Sequence, residues 1–302
     1  MITTKKKRHH WTIALLSTLL VSTVLLTGCE VGGQGQQEGQ NLNAPATGDT
    51  SEKVTPDGAN DNNTDGTEDN TDGIETGKED TETDSVMALR AQSSLQSSIQ
   101  QEGDRSVVTN AEAVTVIVNK ERSLPEGYEP DDLVEPNVPF SFDGPHEKRH
   151  LRKEAASALE ELFAAAKEDG IELRAVSGYR SYTRQVSVYN SSVERNGEEY
   201  AARVSAKPGY SEHQTGLAID VSSPSVGNVI EEVFGDSEEG KWLEEHAPEY
   251  GYVIRYLKDR EDITGYVYEP WHIRYVGKEL APDIAESGLT LEEYFDEANI
   301  KL

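Results

Sequence analysis

The 302-residue chain has little cysteine, few basic residues and no long apolar run. Cys29 is its only cysteine, so an intramolecular disulfide is impossible. Its 28 lysines and arginines face 56 aspartates and glutamates, and the formal net charge of −28 argues against nucleic-acid binding. The apolar segment at 11–26 is shorter than the ~20 residues that span a bilayer comfortably. Hydrophobic residues make up only 35% of the chain, an average that conceals three different regions.

The N-terminus has the pattern of a secretory signal. A basic cluster at 5–8 precedes the apolar segment, which ends in Leu26-Thr27-Gly28-Cys29. A cysteine in this position resembles the lipobox of bacterial lipoproteins, in which cleavage before the cysteine frees it to carry lipid. The resemblance implies a signal peptide at 1–28 and two acyl chains on Cys29, enough to hold the protein on the extracytoplasmic face of the cell membrane. An uncleaved signal anchor followed by a stray buried thiol is the alternative.

Residues 29–105 are predicted to be a disordered acidic linker. Between 38 and 84 the chain has fourteen acidic residues, and Lys53 and Lys78 are the only basic ones. Such a segment cannot bury enough apolar area to offset the entropy of ordering it. We therefore expect a flexible tether with no partner of its own.

Residues 106–302 are predicted to form a single α+β domain, with a small antiparallel sheet flanked by helices. Apolar residues spaced by three and four predict a helix at 150–168, which Gly170 ends. A capping-box pattern from Thr290 to Glu293 predicts a short helix near the C-terminus. Apolar and β-branched runs predict strands at 114–118, 171–176, 217–221, 252–255 and 271–276. These elements follow no strict βαβ order, which favours one α+β domain.

The segment SEHQTGLAID at 211–220 contains the first candidate site. Its apolar run ends in Asp220, where an unpaired buried carboxylate would be costly. His213 lies seven residues earlier, ~10 Å away along a regular helix and on the opposite face of a regular strand. Gly216 permits a turn or bulge between them. We therefore expect a loop that leads into a strand, with the histidine and the aspartate converging.

A zinc ion would explain the buried Asp220. Catalytic zinc takes three protein ligands and leaves one position for water. Among the seven histidines, His272 in EPWHIRYVG completes the set, because Glu269 beside it could take a proton from the zinc-bound water. The spacing alone is equally compatible with a core histidine at 213, a strand-end cap at 220 and an exposed loop acid at 269.

Three motifs resemble the VanY-type D-alanyl-D-alanine carboxypeptidases, zinc peptidases with the signature S-x-H-x-x-G-x-A-x-D followed by E-x-W-H. They are SGYRS, PGYSEHQTGLAIDVS and EPWHIRYVG, and the segment at 118–134 also resembles the family's N-terminal part. The resemblance covers nearly all of 114–302. It implies zinc ligation by His213, Asp220 and His272, general base and acid catalysis by Glu269, oxyanion stabilisation by Arg180, and substrate contacts by Ser211 and Gln185.

The resemblance implies a monomeric, zinc-dependent D,D-carboxypeptidase that removes the terminal D-alanine from peptidoglycan stem peptides by attack of a metal-bound water. Arg184 and Arg203 are both candidates for holding the substrate carboxylate. One alternative is an L,D-carboxypeptidase or an endopeptidase of peptidoglycan with the same zinc centre. Another is a non-catalytic wall-binding lipoprotein. The presence of Glu269 argues against the last, because a pure binding site needs no base.

Overall fold

The computed structural model describes residues 85–300, and every structural statement below concerns that part of the chain. The predicted signal peptide at 1–28, the lipidation of Cys29 and residues 30–84 of the predicted linker lie outside the described residues. Within 85–300, no helix has the length and apolar character needed to cross a bilayer.

The described residues combine helices with small sheets, so the predicted α+β fold is confirmed. The strands are β1 (Ile99–Glu102), β2 (Arg105–Val108), β3 (Arg122–Ser123), β4 (Leu133–Val134), β5 (Leu151–Arg152), β6 (Arg174–Ser177), β7 (Ala218–Ser222), β8 (Tyr252–Tyr256) and β9 (Glu269–Tyr275). The α-helices are α1 (85–92), α2 (Lys153–Glu168), α3 (Tyr182–Asn196), α4 (Glu198–Val204), α5 (Val233–Asp236), α6 (Glu238–His246), α7 (Glu261–Thr264), α8 (Ala281–Ser287) and α9 (Leu291–Tyr294).

Four strands form the central antiparallel sheet, in the order β6-β7-β9-β8. Strand β7 is buried along its whole length, which explains its almost continuous apolar sequence. The buried face of α2 shares one apolar core with this sheet: Leu159 and Leu162 belong to the same cluster as Ile219 and Ile273. The strands predicted at 217–221, 252–255 and 271–276 are confirmed. The one predicted at 171–176 begins later, at Arg174.

The strand predicted at 114–118 is wrong, because these residues form turns and an irregular segment. Four of the five side chains are buried, so the β-branched run reflects burial rather than strand pairing. Buried guanidinium groups take the place of a neighbouring strand as hydrogen-bond donors. Arg274 Nη2 donates to the carbonyl oxygens of Val114 and Val116 at 2.8 and 2.7 Å. Arg122 Nε donates to the carbonyl oxygen of Ile117 at 3.0 Å.

The predicted disordered linker extends too far, because residues 85–105 are part of the folded domain. Leu89 and Leu95 pack on a second apolar core, which includes Ile117, Leu280 and Tyr294. Strands β1 and β2 form an antiparallel hairpin. The buried Arg122 guanidinium donates to the carbonyl oxygens of Leu95 and Ser98, at 2.8 and 3.3 Å. The serine- and glutamine-rich composition conceals this order, since hydrogen bonds to one distant arginine contribute much of the attachment.

The C-terminal helix α9 is tied to the central sheet by an ion pair. The predicted capping box is confirmed: Thr290 and Glu293 each accept a hydrogen bond from the other's backbone N–H. Glu292 accepts two hydrogen bonds from the fully buried Arg255, at 2.9 and 2.6 Å. Burial acts to raise the pKa of Glu292, but the charge of Arg255 and the hydrogen bonds from Arg255 and Asn119 outweigh it and hold that pKa below its ordinary value.

Replacement of Glu292 by Gln should flatten the dependence of stability on pH. The pKa of Glu292 in the folded state lies below the value of about 4.3 in the unfolded state, so its stabilising effect is present above that pH and is lost as the pH falls through the folded value. Urea unfolding should show a steeper loss for wild type than for Glu292→Gln between about pH 5 and pH 3. Parallel curves would contradict this account.

A chain that begins at residue 106 should be less stable than one that begins at 85. The shorter chain uncovers apolar surface of the second core and removes three acceptor atoms of the buried Arg122 guanidinium. An unsatisfied buried donor of this kind costs about 2 kcal/mol or more. Guanidinium chloride unfolding of the two chains measures the difference, and equal midpoints would mean that residues 85–105 contribute nothing to stability.

Candidate active site

Two adjacent strands and one tight turn bring the predicted ligands together. Asp220 on β7 and His272 on β9 are direct partners in the antiparallel register, so their side chains lie on the same face of the sheet. His213 lies in the 3-10 turn Glu212–Thr215, which leads into β7. Gly216 ends that turn with φ +68°, a left-handed conformation that favours glycine. The predicted path from loop to strand is therefore present.

The three side chains form a compact buried cluster. His213 Nε2 lies 3.6 Å from Asp220 Oδ2, and His272 Nδ1 lies 3.1 Å from Asp220 Oδ1. The imidazole rings are 5.0 Å apart and nearly perpendicular, at 83°. One potential ligand atom from each residue lies within 4.8 Å of the others. His213 Nδ1 lies 2.8 Å from the carbonyl oxygen of Gly178, to which it can only donate, so Nε2 presents its lone pair to the cluster.

This donor set fits a zinc ion. Two imidazoles and one carboxylate are ligands found in catalytic zinc sites, and such sites are buried. Burial, together with the charge of Arg180, lowers the pKa of His213 to about 3, which keeps it in the neutral form that binds metals. Burial opposes protonation of His272, but the hydrogen bond to Asp220 and the nearby carboxylate of Glu212 raise its pKa to about 9. The cluster therefore favours a bound positive charge. A metal cation would compete with a proton on His272 to supply it.

Glu269 lies at the start of β9, beside the ligand cluster. Its Oε2 is 3.8 Å from His272 Nδ1, and the side chain is largely buried. Burial raises the pKa of Glu269 to about 7, against the opposing charge of His272. A carboxyl group with a pKa near neutrality can both accept and return a proton at physiological pH.

Arg180 lies at the edge of the same cluster, and its orientation is fixed by two side chains. Its Nη1 donates to Gln185 Oε1 at 3.0 Å and its Nη2 donates to Ser177 Oγ at 3.3 Å. Gln185 is fully buried, and its amide nitrogen donates to the carbonyl oxygen of Ala206 at 2.7 Å. The structure therefore disfavours the predicted substrate contact of Gln185, whose amide is used to hold Arg180.

A cleft of about 550 Å³ opens onto the cluster. Its walls include the predicted site residues Arg180, Ser211, His213, Asp220, Glu269 and His272. Trp271 also lines it, as do two tyrosines, Tyr256 and Tyr266. Tyr256 stacks against the ring of His272 with 5.1 Å between centroids. A larger cavity of about 830 Å³ beside α2 has no histidine in its lining. The chemistry is therefore concentrated in the smaller cleft.

Two residues near the cluster were missed by the sequence analysis. Glu212 is fully buried and hydrogen-bonded by Arg255 and Arg274, and it contacts His272. Lys148 is close enough to the site for the charges of Arg184, Arg180 and Asp220 to act on its pKa, which burial lowers. A glutamate next to the ligand histidine was visible in the motif, but its partners lie 43 and 62 residues away along the chain. Local sequence therefore carried no signal for its role.

The two residues considered for the substrate carboxylate differ in their surroundings. Arg203 forms hydrogen bonds to both carboxylate oxygens of Glu261, at 2.7 and 2.9 Å, and does not line the cleft. Arg184 lines a shallow cavity of about 440 Å³ together with His146 and Glu147. Arg184 does not line the cleft either, but its charge acts on the pKa of Arg180, which does.

The buried His-Asp-His cluster beside a glutamate and an arginine is typical of a metal-dependent peptide hydrolase, and comparison with known proteins agrees. Residues 148–278 match the family model VanY, D-alanyl-D-alanine carboxypeptidase. The chain is 53% identical over 189 residues to "Putative carboxypeptidase YodJ" of Bacillus subtilis (strain 168), covering 63% of this chain and 69% of the relative.

Two solved structures are also similar. The LdcB LD-carboxypeptidase is 52% identical, with a TM-score of 0.63 over 65% of this chain and 92% of that one. A vancomycin resistance D,D-pentapeptidase VanY, in complex with Zn(II), is 31% identical, with a TM-score of 0.52 over 61% of this chain and 99% of that one. The chain belongs to the VanY family of carboxypeptidases, which are peptide hydrolases.

Substitution of Gly216 by Ala should destabilise the protein more than the same change at Gly288. Both glycines have a positive φ, +68° and +62°, so each alanine should cost about 1–2 kcal/mol for the left-handed backbone. Only at 216 would the added methyl meet neighbours, 2.9 Å from Leu133 Cδ2 and 3.0 Å from Arg152 Cγ, which adds about 1–3 kcal/mol. Equal losses in chemical denaturation would show that this close approach does not constrain the turn.

Proposed function

We propose that the protein is a zinc-dependent carboxypeptidase that removes the C-terminal D-alanine from peptidoglycan stem peptides. The observation that carries this proposal is the convergence of His213, Asp220 and His272 in one buried cluster, with Glu269 beside it. The three side chains would hold the zinc ion. When bound, zinc makes water a nucleophile near neutral pH and polarises the scissile carbonyl.

Glu269 provides the proton transfers of this reaction. As a carboxylate it takes a proton from the attacking water, and as a carboxylic acid it gives that proton to the leaving amine when the peptide C–N bond breaks. In the metal-free site, burial raises the pKa of Glu269 to about 7, so its protonated form is accessible near neutral pH. The water oxygen ends in the new carboxylate of the shortened peptide, and free alanine leaves.

Arg180 is placed to stabilise the negative charge that develops on the carbonyl oxygen. Gln185 and Ser177 fix its guanidinium before substrate binds, so little reorganisation is needed during the reaction. Ser211 is buried in the cleft wall, where it can contact the peptide. Arg184 is proposed to hold the substrate carboxylate, since Glu261 occupies Arg203.

We propose a preference for a D,D bond, which is supported by the matching family model and by the similar D,D-pentapeptidase VanY. The L,D-carboxypeptidase activity named for LdcB makes cleavage of an L,D bond the second candidate, supported by 52% identity and the TM-score of 0.63. Both reactions release a terminal D-alanine and use the same zinc centre. The side chains that line the cleft, rather than the metal ligands, would determine which of the two bonds is cleaved.

The proposal includes the cellular setting predicted from the N-terminus. Lipid on Cys29 would hold a monomeric enzyme on the extracytoplasmic face of the membrane, and the acidic linker would let the domain reach the cell wall. Incorporation of radiolabelled palmitate by the wild-type chain, and its loss in Cys29→Ala, would support this part of the proposal.

Glu269→Gln should lower kcat by about 10²- to 10⁴-fold, because the variant retains the size of the side chain and loses the base. The full chain, loaded with zinc, is incubated with pentapeptide and tetrapeptide muropeptides, and the products are identified by mass spectrometry. Loss of one alanine from the pentapeptide alone supports D,D specificity, and loss from the tetrapeptide supports L,D specificity.

Zinc content of Glu269→Gln should match that of wild type, since Glu269 is not a proposed ligand. Glu261→Gln is the matched control, because it removes an exposed carboxylate outside the cleft, and it should retain activity. Cleavage of neither peptide by zinc-loaded wild type would contradict the proposed function and favour a binding protein.

A further inference from the structure

We infer that Glu212 is a positioning residue that accepts a hydrogen bond from His272 Nε2–H and thereby directs His272 Nδ1 toward the metal. This inference rests on the proposed zinc-dependent function. It assigns a role to a buried carboxylate that neither binds the metal nor transfers a proton.

The first step of the argument is the geometry around His272. Its Nε2 lies 3.5 Å from Glu212 Oε2, and among the described residues both atoms are buried without a hydrogen-bond partner of good geometry. On the other side of the ring, Nδ1 lies 3.1 Å from Asp220 Oδ1, facing the ligand cluster. A neutral imidazole that ligates through one nitrogen carries its proton on the other. The only acceptor that the described residues offer to that proton is Glu212.

The second step is the way in which Glu212 itself is held. Its Oε1 accepts hydrogen bonds from Arg255 Nε at 2.8 Å and from Arg274 Nη1 at 2.9 Å. Both arginine side chains are fully buried, so water does not compete for these contacts. Two donors fix one oxygen of the carboxylate, and the other oxygen is left to face His272.

The third step is charge. Arg255 and Arg274 carry two positive charges, and Glu212 and Glu292 carry two negative charges, so this network is neutral without His272. The contact between Glu212 and His272 is therefore not needed to neutralise the charge of the two arginines. The short 3-10 turn places His213 in the metal cluster and Glu212 behind His272, and so one turn serves both imidazoles.

The wild-type protein provides the first test. In the full chain labelled with ¹⁵N-histidine and loaded with zinc, long-range ¹H–¹⁵N correlation spectra distinguish protonated from metal-bound ring nitrogens. We expect His272 to show a proton on Nε2 that exchanges slowly with solvent, and metal on Nδ1. Metal on Nε2, or a proton on Nδ1, overturns the inference whatever any variant does.

Glu212→Gln provides the second test. The amide oxygen would be kept by the two arginines, which would turn the amide NH₂ toward His272 Nε2–H, donor against donor. We expect the zinc dissociation constant, measured by competition with a chelator, to rise about 10- to 100-fold, with loss of the slowly exchanging Nε2–H signal. Glu292→Gln is the matched control: it removes a carboxylate from the same arginine without touching His272, and it should keep both the affinity and the signal.

The outcomes separate this inference from the proposed function. Folded Glu212→Gln with wild-type zinc affinity and an unchanged Nε2–H signal overturns the inference alone, provided that wild type hydrolyses muropeptides. An equal loss of affinity in Glu292→Gln also overturns it, since general weakening of the network would then be the cause. If Glu212→Gln does not fold, the wild-type spectrum decides. Failure of wild type to bind zinc overturns the proposed function and this inference together.

Discussion

The carboxylates buried around His272 impose the strongest constraint on this fold. Glu212, Asp220 and Glu269 each place an oxygen within 3.8 Å of one of its ring nitrogens. Ionised groups in such an interior cost several kcal/mol each unless they are paired. The structure therefore surrounds the cluster with cations, and two of them, Arg255 and Arg274, are completely buried side chains. Under the proposed function, a metal ion would supply the positive charge that the remaining carboxylates need.

This requirement explains why parts of the chain far from the cleft have specific contacts. Arg274 reaches from β9 to the carbonyl oxygens of Val114 and Val116, and Arg255 reaches from β8 to Glu292 on α9. The N-terminal segment and the C-terminal helix thus contact the two arginines that donate to Glu212.

The residues proposed to carry out the reaction and the residues that form the cleft walls come from different parts of the fold. The ligands and Glu269 lie on the central sheet and on the turn that enters it, which are rigid and buried. The cleft walls come partly from α3 and α4, with the half-exposed Tyr200 at the rim. Variation in those walls can change which stem peptide fits while the metal centre is unchanged. Relatives named for D,D and for L,D bonds are consistent with such a division.

The sequence by itself determined the α+β class, the strands β7, β8 and β9, the helix α2, and the candidate cluster of His213, Asp220, His272 and Glu269. These features are local: apolar periodicity, a glycine at a left-handed turn, and motifs in which each histidine stands near a carboxylate. It did not show that residues 85–105 are ordered or that 114–118 is not a strand, because both depend on hydrogen bonds from Arg122 and Arg274, which come from elsewhere in the chain.

Only the tertiary structure decided the contacts of Glu212 and the engagement of Gln185 with Arg180. Glu212 meets Arg255, Arg274 and His272 across separations of 43 to 62 residues, and no local pattern encodes such a meeting. Buried charges are matched in space rather than along the chain, since Coulomb and hydrogen-bond energies depend on distance and burial. Local patterns therefore pointed to the proposed ligands, and the folded structure showed which buried charges surround them.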